Sequence, residues 1–213
     1  MVSRVAHFER SADTDSFISR LREISLFFDG TDRVHQAMRR IADRLEAAGI
    51  PYAIIGGMAV NAHRHARTTA DVDLLLSREG LGALRQIAPR DEFDSVSGRS
   101  RRFVDRQTGV HFDILVSGGF PGNGKPGPIT FPDPSASTQE IDGLRVINLP
   151  TLIQLKLAAH RYQDFADVVN LIRANQLDQK YCENLHPSVR REFVECLEEM
   201  RRENEYEARL DQD

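Results

Sequence analysis

The stretch YAIIGGMAVNAHRHARTTADVDLLL, residues 52–76, constrains the fold more than any other part of the chain. An apolar run from Tyr52 to Ile55 is broken by Gly56 and Gly57, and MAVNAH then has the composition of a short helix. Glycine tolerates the backbone conformations that a sharp strand-to-helix turn demands. A second apolar run opens with Asp71-Val72-Asp73. Side chains alternate along a strand, so Asp71 and Asp73 share one face while Val72 and Leu74 take the other. Two neighbouring carboxylates in a dry site repel, and one would hold its proton; a hard divalent cation removes that conflict. Mg²⁺ is the natural choice, because it binds carboxylates and phosphate oxygens while keeping water.

The remaining segments supply a setting. Residues 13–29 carry Phe17, Ile18, Leu21, Ile24, Phe27 and Phe28 in a pattern that makes a short helix. Residues 34–48 place Val34, Met38, Ile41 and Leu45 at helical spacing, and Gly49 is a natural stop. A helix is expected over 78–88, and strands over 101–107 and 110–116 joined by a compact Thr108-Gly109 turn. A hairpin connection excludes purely parallel winding. Residues 118–135, GGFPGNGKPGPITFPDPS, are too rich in Gly and Pro for a central element and read as a long loop pinned by Phe120, Ile129 and Phe131. A small hairpin turns at Asp142-Gly143, and a helical tail covers about 150–175 and 187–208. The expected fold class is α+β with an α/β-like core: a mixed sheet flanked by helices. It divides into a core with N-terminal helices over 1–148 and a C-terminal helical region over 149–213.

At 213 residues the chain can bury a core without a staple. Its two cysteines, Cys182 and Cys196, both lie in the helical tail and give neither a disulfide framework nor a zinc cluster. The N-terminus lacks the apolar core of a secretion signal, and no apolar run is long enough for a bilayer, so a cytoplasmic location without membrane partners is expected. A net charge of −4 argues against a wholly basic nucleic-acid coat, leaving a local groove around Arg64, Arg67, Arg101 and Arg102.

A third carboxylate, Asp113, occurs in VHFDILV. If its strand lies beside 71–76, Asp113 faces the pair, and three carboxylates suffice to hold metal ions. Gly56-Gly57, free of Cβ, lets phosphate oxygens approach backbone N–H groups. The turn is neither a P-loop nor the three-glycine dinucleotide motif. Lys156 has two readings, a cation for β or γ phosphate and an exposed residue between Leu155 and Leu157 on an amphipathic helix. Asp164 and Asp167, three apart on one helix side, have Arg161, Lys156 or another arginine as pairing partners in one reading. His111 shares Asp113's side of the strand, where it either hydrogen-bonds a site carboxylate or is a partly buried polar residue. His63 and His65 have the wrong helical spacing for a metal pair.

Taken in order, IIGGMAVNAH, RTTADVDLLL, HFDILV, LPTLIQLKLAA and RYQDFADVVNLI resemble the nucleotidyltransferase superfamily of the polymerase-beta-like fold, and within it the minimal and AbiEii-like bacterial branches. The resemblance implies that Gly56 and Gly57 hold a nucleoside triphosphate, with ATP as the provisional donor, and that Asp71, Asp73 and Asp113 bind catalytic magnesium. It places Arg67 where a cation approaches phosphate or braces the loop, Lys156 near phosphate, and Asp164 as an acidic side chain supporting the active face, the second reading of that residue. The implied activity is transfer of a nucleoside monophosphate to a hydroxyl on RNA such as tRNA, on protein or on a small molecule. In a toxin of this branch, a cognate antitoxin would be a partner. One departure stands out: Gly57 occupies the place where the commonest motif has serine, so a hydroxyl donor is absent. A noncatalytic nucleotide-binding or protein-interaction module on the same fold is the alternative this departure suggests.

Overall fold

A computed structural model describes residues 12–87 and 92–211. The elements run α1 (Ala12–Phe28), α2 (Arg33–Ala47), β1 (Tyr52–Ile55), α3 (Gly56–Ala62), β2 (Asp71–Leu76), α4 (Arg78–Ile87), β3 (Phe93–Ser95) and β4 (Arg102–Asp105). They continue with β5 (His111–Val116), β6 (Thr138–Ile141), β7 (Leu144–Ile147), α5 (Leu149–Ala159), α6 (Tyr162–Asn175) and α7 (Arg190–Leu210). The expected N-terminal region before residue 12, the side chains of Phe17 and Ile18, and the expected last residue of α4, Ala88, lie outside the described part.

The seven strands form one sheet in the order β3-β4-β5-β2-β1-β7-β6. It is mixed: β2 pairs parallel to β5 and antiparallel to β1, while β7 pairs parallel to β1. With helices flanking it and a helical C-terminal region, this is the architecture the sequence leads one to expect. Glycine and its neighbours set the turns. Gly109 (φ +73°) closes the β4–β5 hairpin, and Asp142 and Gly143 (φ +52° and +76°) make the two-residue β6–β7 turn, whose positive φ at both central positions matches the strand twist.

Helix α2 starts where the Asp32 carboxylate accepts from Val34 N at 2.6 Å and ends before Gly49 at φ +64°. Its buried stripe, Val34, Ala37, Met38, Ile41, Ala42 and Leu45, packs into an apolar core that is continuous through the sheet to Phe193 and Leu197 of α7. Ile129 and Phe131 are buried and pin the Gly/Pro-rich loop, and Gly118 N and Phe131 N donate across its neck to Phe131 O and Gly119 O, each at 2.8 Å. Phe120 is half-buried instead and lines a cleft.

Three details differ from the sequence reading. Strand β3 is three residues long, too short to leave an alternation, and exists because it pairs with β4. The tail segment 150–175 is two helices, since His160 adopts the left-handed conformation (φ +59°) and turns the chain between α5 and α6. Lys156 is buried, not exposed, because α6 folds back against its face of α5. Among the described residues, no helix is long and apolar enough to cross a membrane.

Candidate active site

The parallel β2–β5 ladder sets the site. Its register places Asp71 beside His111 and Asp73 beside Asp113, and β1 brings Ile55, the residue before Gly56, opposite Asp73 on the other side. Asp71, Asp73 and Asp113 therefore face one cleft of about 480 Å³, together with Gly56, Gly57, Arg67, Lys156, Arg161 and Asp164. The aromatic loop residues Phe120 and Phe131 and the apolar Leu115, Leu152 and Leu155 line the rest of it. All seven residues that the sequence singled out for metal or nucleotide are brought together.

Electrostatics in the cleft are strained. The Asp73 pKa is raised from 3.8 to about 6, first by burial and then by the charges of Asp71 and Asp113, which outweigh the opposing charges of Lys156 and Arg161. Asp71 accepts from Thr69 Oγ1 at 3.0 Å, and Asp113 Oδ1 lies 3.4 Å from Arg102 Nε of β4. Among the described residues, no group of three or more His, Cys, Asp or Glu side chains is gathered to hold a metal ion as it stands. Three hard-oxygen carboxylates sharing a cleft, one with a raised proton affinity, have the donor chemistry that suits Mg²⁺.

The two glycines carry a packing requirement as well. Gly56 sits at φ +63°, and a Cβ there would overlap the Asp73 carboxylate, 2.7 Å from its Cγ. At Gly57 a Cβ would lie 2.9 Å from Thr69 Cβ and Oγ1. The turn is thus pressed directly onto the strand that bears the carboxylates. Gly56→Ala combines left-handed strain with this overlap, and a loss of about 2 kcal/mol is expected in urea unfolding. Wild-type stability of that variant would show that the turn is not packed in this way.

On the adjoining wall, Lys156 Nζ donates to Asp167 Oδ2 at 2.6 Å and to Asp164 Oδ1 at 3.2 Å. Arg67 joins from the α3–β2 loop, its Nε and Nη2 lying 2.7 and 3.1 Å from the two Asp167 oxygens, and Gln163 Nε2 donates to Asp167 Oδ1 at 3.1 Å. Burial would raise the Asp167 pKa, but the charges and hydrogen bonds of Lys156, Arg67 and Gln163 hold it below its ordinary value. Arg161 Nε and Nη2 reach the two oxygens of Asp164 at 2.6 and 3.1 Å. Both aspartates are paired, one of the two expectations, Asp164 with Arg161 and Lys156 and Asp167 with Lys156 and Arg67, and Asp164 also reaches the cleft.

The sequence reading did not identify Thr69, and it set Arg102 in a basic groove rather than beside Asp113. Counting back from a two-residue Thr108-Gly109 turn would pair Val104 with Asp113; β4 ends at Asp105 instead, and the longer connection over 106–109 shifts the register by two and brings Arg102 there. The proposed basic groove is depleted, because Arg67 and Arg102 turn to carboxylates. His111 makes no hydrogen bond to a site carboxylate among the described residues; His63 is buried with Nε2 2.7 Å from Ile147 O, and burial lowers its pKa.

No protein-family model and no curated protein matches the sequence. Among solved structures, the chain is similar to JHP933 from Helicobacter pylori, at 15% identity and a TM-score of 0.43 over 71% of this chain and 70% of that one. It is also similar to the antibiotic-resistance factor ANT(2'')-Ia, at 18% identity and a TM-score of 0.42 over 83% and 94%. The c-di-GMP synthase CdnE from Capnocytophaga granulosa is more distant, at 13% identity and a TM-score of 0.31 over 83% and 64%. Likenesses at these identities concern the course of the chain and carry no chemistry with them.

Proposed function

We propose that the chain is a nucleotidyltransferase of the polymerase-beta-like kind, transferring a nucleoside monophosphate from a triphosphate, ATP in the first instance, to a hydroxyl acceptor. The observation that carries this reading is the convergence of Asp71, Asp73 and Asp113 with the Gly56-Gly57 turn on one cleft. The three carboxylates would hold Mg²⁺, which when bound neutralises phosphate charge and lowers the proton affinity of an attacking hydroxyl. The resemblance of IIGGMAVNAH and RTTADVDLLL to the AbiEii-like branch points the same way.

In this reading the acceptor hydroxyl attacks the α-phosphorus, an oxygen–phosphorus bond forms, and the bond to pyrophosphate breaks. Asp113, facing the Asp71–Asp73 pair from the next strand, takes the hydroxyl proton. Backbone donors of the Gly56-Gly57 turn and the positive charge of the adjoining cleft wall balance the charge of the leaving pyrophosphate. The acceptor would be RNA, protein or a small molecule, and an antitoxin is the partner a toxin role adds. The reading is tested by incubating the protein with each labelled nucleoside triphosphate and Mg²⁺ in the presence of cellular RNA, proteins and metabolites. Mass spectrometry should find one acceptor class carrying a nucleoside monophosphate, with pyrophosphate released in equal amount. Magnesium-dependent binding without pyrophosphate from any acceptor would favour the noncatalytic module.

A further inference from the structure

The cations of the cleft wall are not equivalent. Arg67 is spent on the protein: Nε and Nη2 face Asp167, and Nη1 donates to Thr68 O at 3.2 Å. Lys156 is spent as well, with 7% of its side chain exposed and its ammonium shared between Asp164 and Asp167. Arg161 differs. Its side chain is 71% exposed, and Asp164 grips Nε and Nη2 as a fork, leaving Nη1 without a partner among the described residues. A guanidinium held by two of its nitrogens is fixed in orientation and keeps donors to offer.

Two further features point to an anion at that place. Arg161 is the N-cap residue of α6, whose first turn has no side-chain cap and contributes Gln163 and Asp164 to the cleft lining. The partial positive charge of a helix start therefore adds to the guanidinium. Lys156 and Arg67 are enclosed by Asp164 and Asp167, whereas the exposed Arg161, hydrogen-bonded to Asp164 alone, also faces the charge of Asp73 across the cleft. Arg161 thus lines the same cleft as Asp71, Asp73 and Asp113, on which a bare phosphate chain could not rest unaided.

We infer that Arg161 is the side chain that receives the phosphate chain of the nucleotide, with Asp164 and Lys156 behind it as positioning residues; this rests on reading the cleft as a nucleotide site. Lys156 then acts on phosphate through Asp164 and Arg161, by fixing the fork. Arg161→Lys keeps the charge but loses the fork, and Arg161→Gln loses both.

Calorimetric titration tests the assignment, using ATP, GTP, CTP and UTP with excess Mg²⁺, and adenosine, guanosine, cytidine and uridine as phosphate-free controls, on the wild type and both variants. The expected result is triphosphate binding by the wild type, weakened about ten- to a hundredfold in Arg161→Gln and less in Arg161→Lys, with nucleoside affinity unchanged and both variants folded at the titration temperature. Wild-type binding of triphosphate that persists undiminished in Arg161→Gln overturns the role of Arg161 and leaves the cleft reading standing. Equal weakening of nucleoside and triphosphate overturns it too, since the effect would then be one of cleft shape. Absence of triphosphate binding by the wild type removes the cleft reading and this inference together.

Discussion

Asp73→Asn should abolish magnesium-dependent transfer while making the metal-free protein more stable. The substitution keeps the volume and removes the charge that is hardest to hold in the cleft. Losing a metal ligand at the reacting phosphate removes several kcal/mol of transition-state stabilisation, so turnover should fall by about a thousandfold or more; Asp71→Asn should do the same. The stability gain follows from the raised pKa of Asp73. A carboxyl with a pKa of 3.8 when unfolded and about 6 when folded binds its proton more tightly in the native state. Its favourable contribution is complete below pH 3.8 and is lost as the pH rises through about 6. At neutral pH the charged group therefore opposes folding by up to about 3 kcal/mol, a penalty that asparagine lacks. Urea unfolding without metal should show wild type and Asp73→Asn nearly equal at pH 3.5–4 and the variant ahead at pH 7. Saturating Mg²⁺ should close the gap by stabilising only the wild type, since an ion at about a hundred times its dissociation constant contributes roughly 2.7 kcal/mol. A variant that turns over at the wild-type rate, or a stability difference independent of pH, would rule out the assigned role of Asp73.

The carboxylate triad was legible because its determinants are local. Period-two alternation puts Asp71 and Asp73 on one face, and the hairpin at Thr108-Gly109 fixes the strand that carries Asp113. Only the lateral placement of β5 beside β2 had to be assumed, and the register Asp73–Asp113 now supplies it. What the sequence could not give arises from long-range packing. Whether Lys156 meets solvent or carboxylates depends on the turn at His160, where a histidine in the left-handed conformation leaves no glycine-like mark in the sequence. Arg67 and Asp167 are brought together across 100 positions by the fold alone. The need for glycine at Gly56 was read as clearance for phosphate, yet its nearest constraint is Asp73, a contact visible only once β1 and β2 are paired.

The buried network that those contacts build should be the most sensitive structural element outside the apolar core. Asp167 is fully buried and Asp164 nearly so, and Lys156 is the only described residue that hydrogen-bonds to both. Lys156→Met retains the packing of the stem and removes the charge, leaving Asp167 with Arg67 and Gln163 and Asp164 with Arg161. Breaking one partner out of a buried ion pair typically costs 3–5 kcal/mol, and the surviving arginines place this case at the lower end, about 3 kcal/mol. For a chain of this length that corresponds to a fall in melting temperature of roughly 6–12 °C. The pH dependence separates lost charge pairing from lost packing. Because the folded Asp167 holds its proton less tightly than the unfolded one, its contribution is present above the ordinary carboxylate pKa and lost as the pH falls through the depressed value. The deficit of Lys156→Met should therefore be largest near neutral pH and shrink in acid. Lys156→Met combined with Asp167→Asn should recover 1–2 kcal/mol relative to the sum of the single changes, since neither then leaves a buried charge. Additive losses in that cycle, or a Lys156→Met deficit unchanged from neutral to acid pH, would mean that Lys156 is held by packing rather than by Asp164 and Asp167.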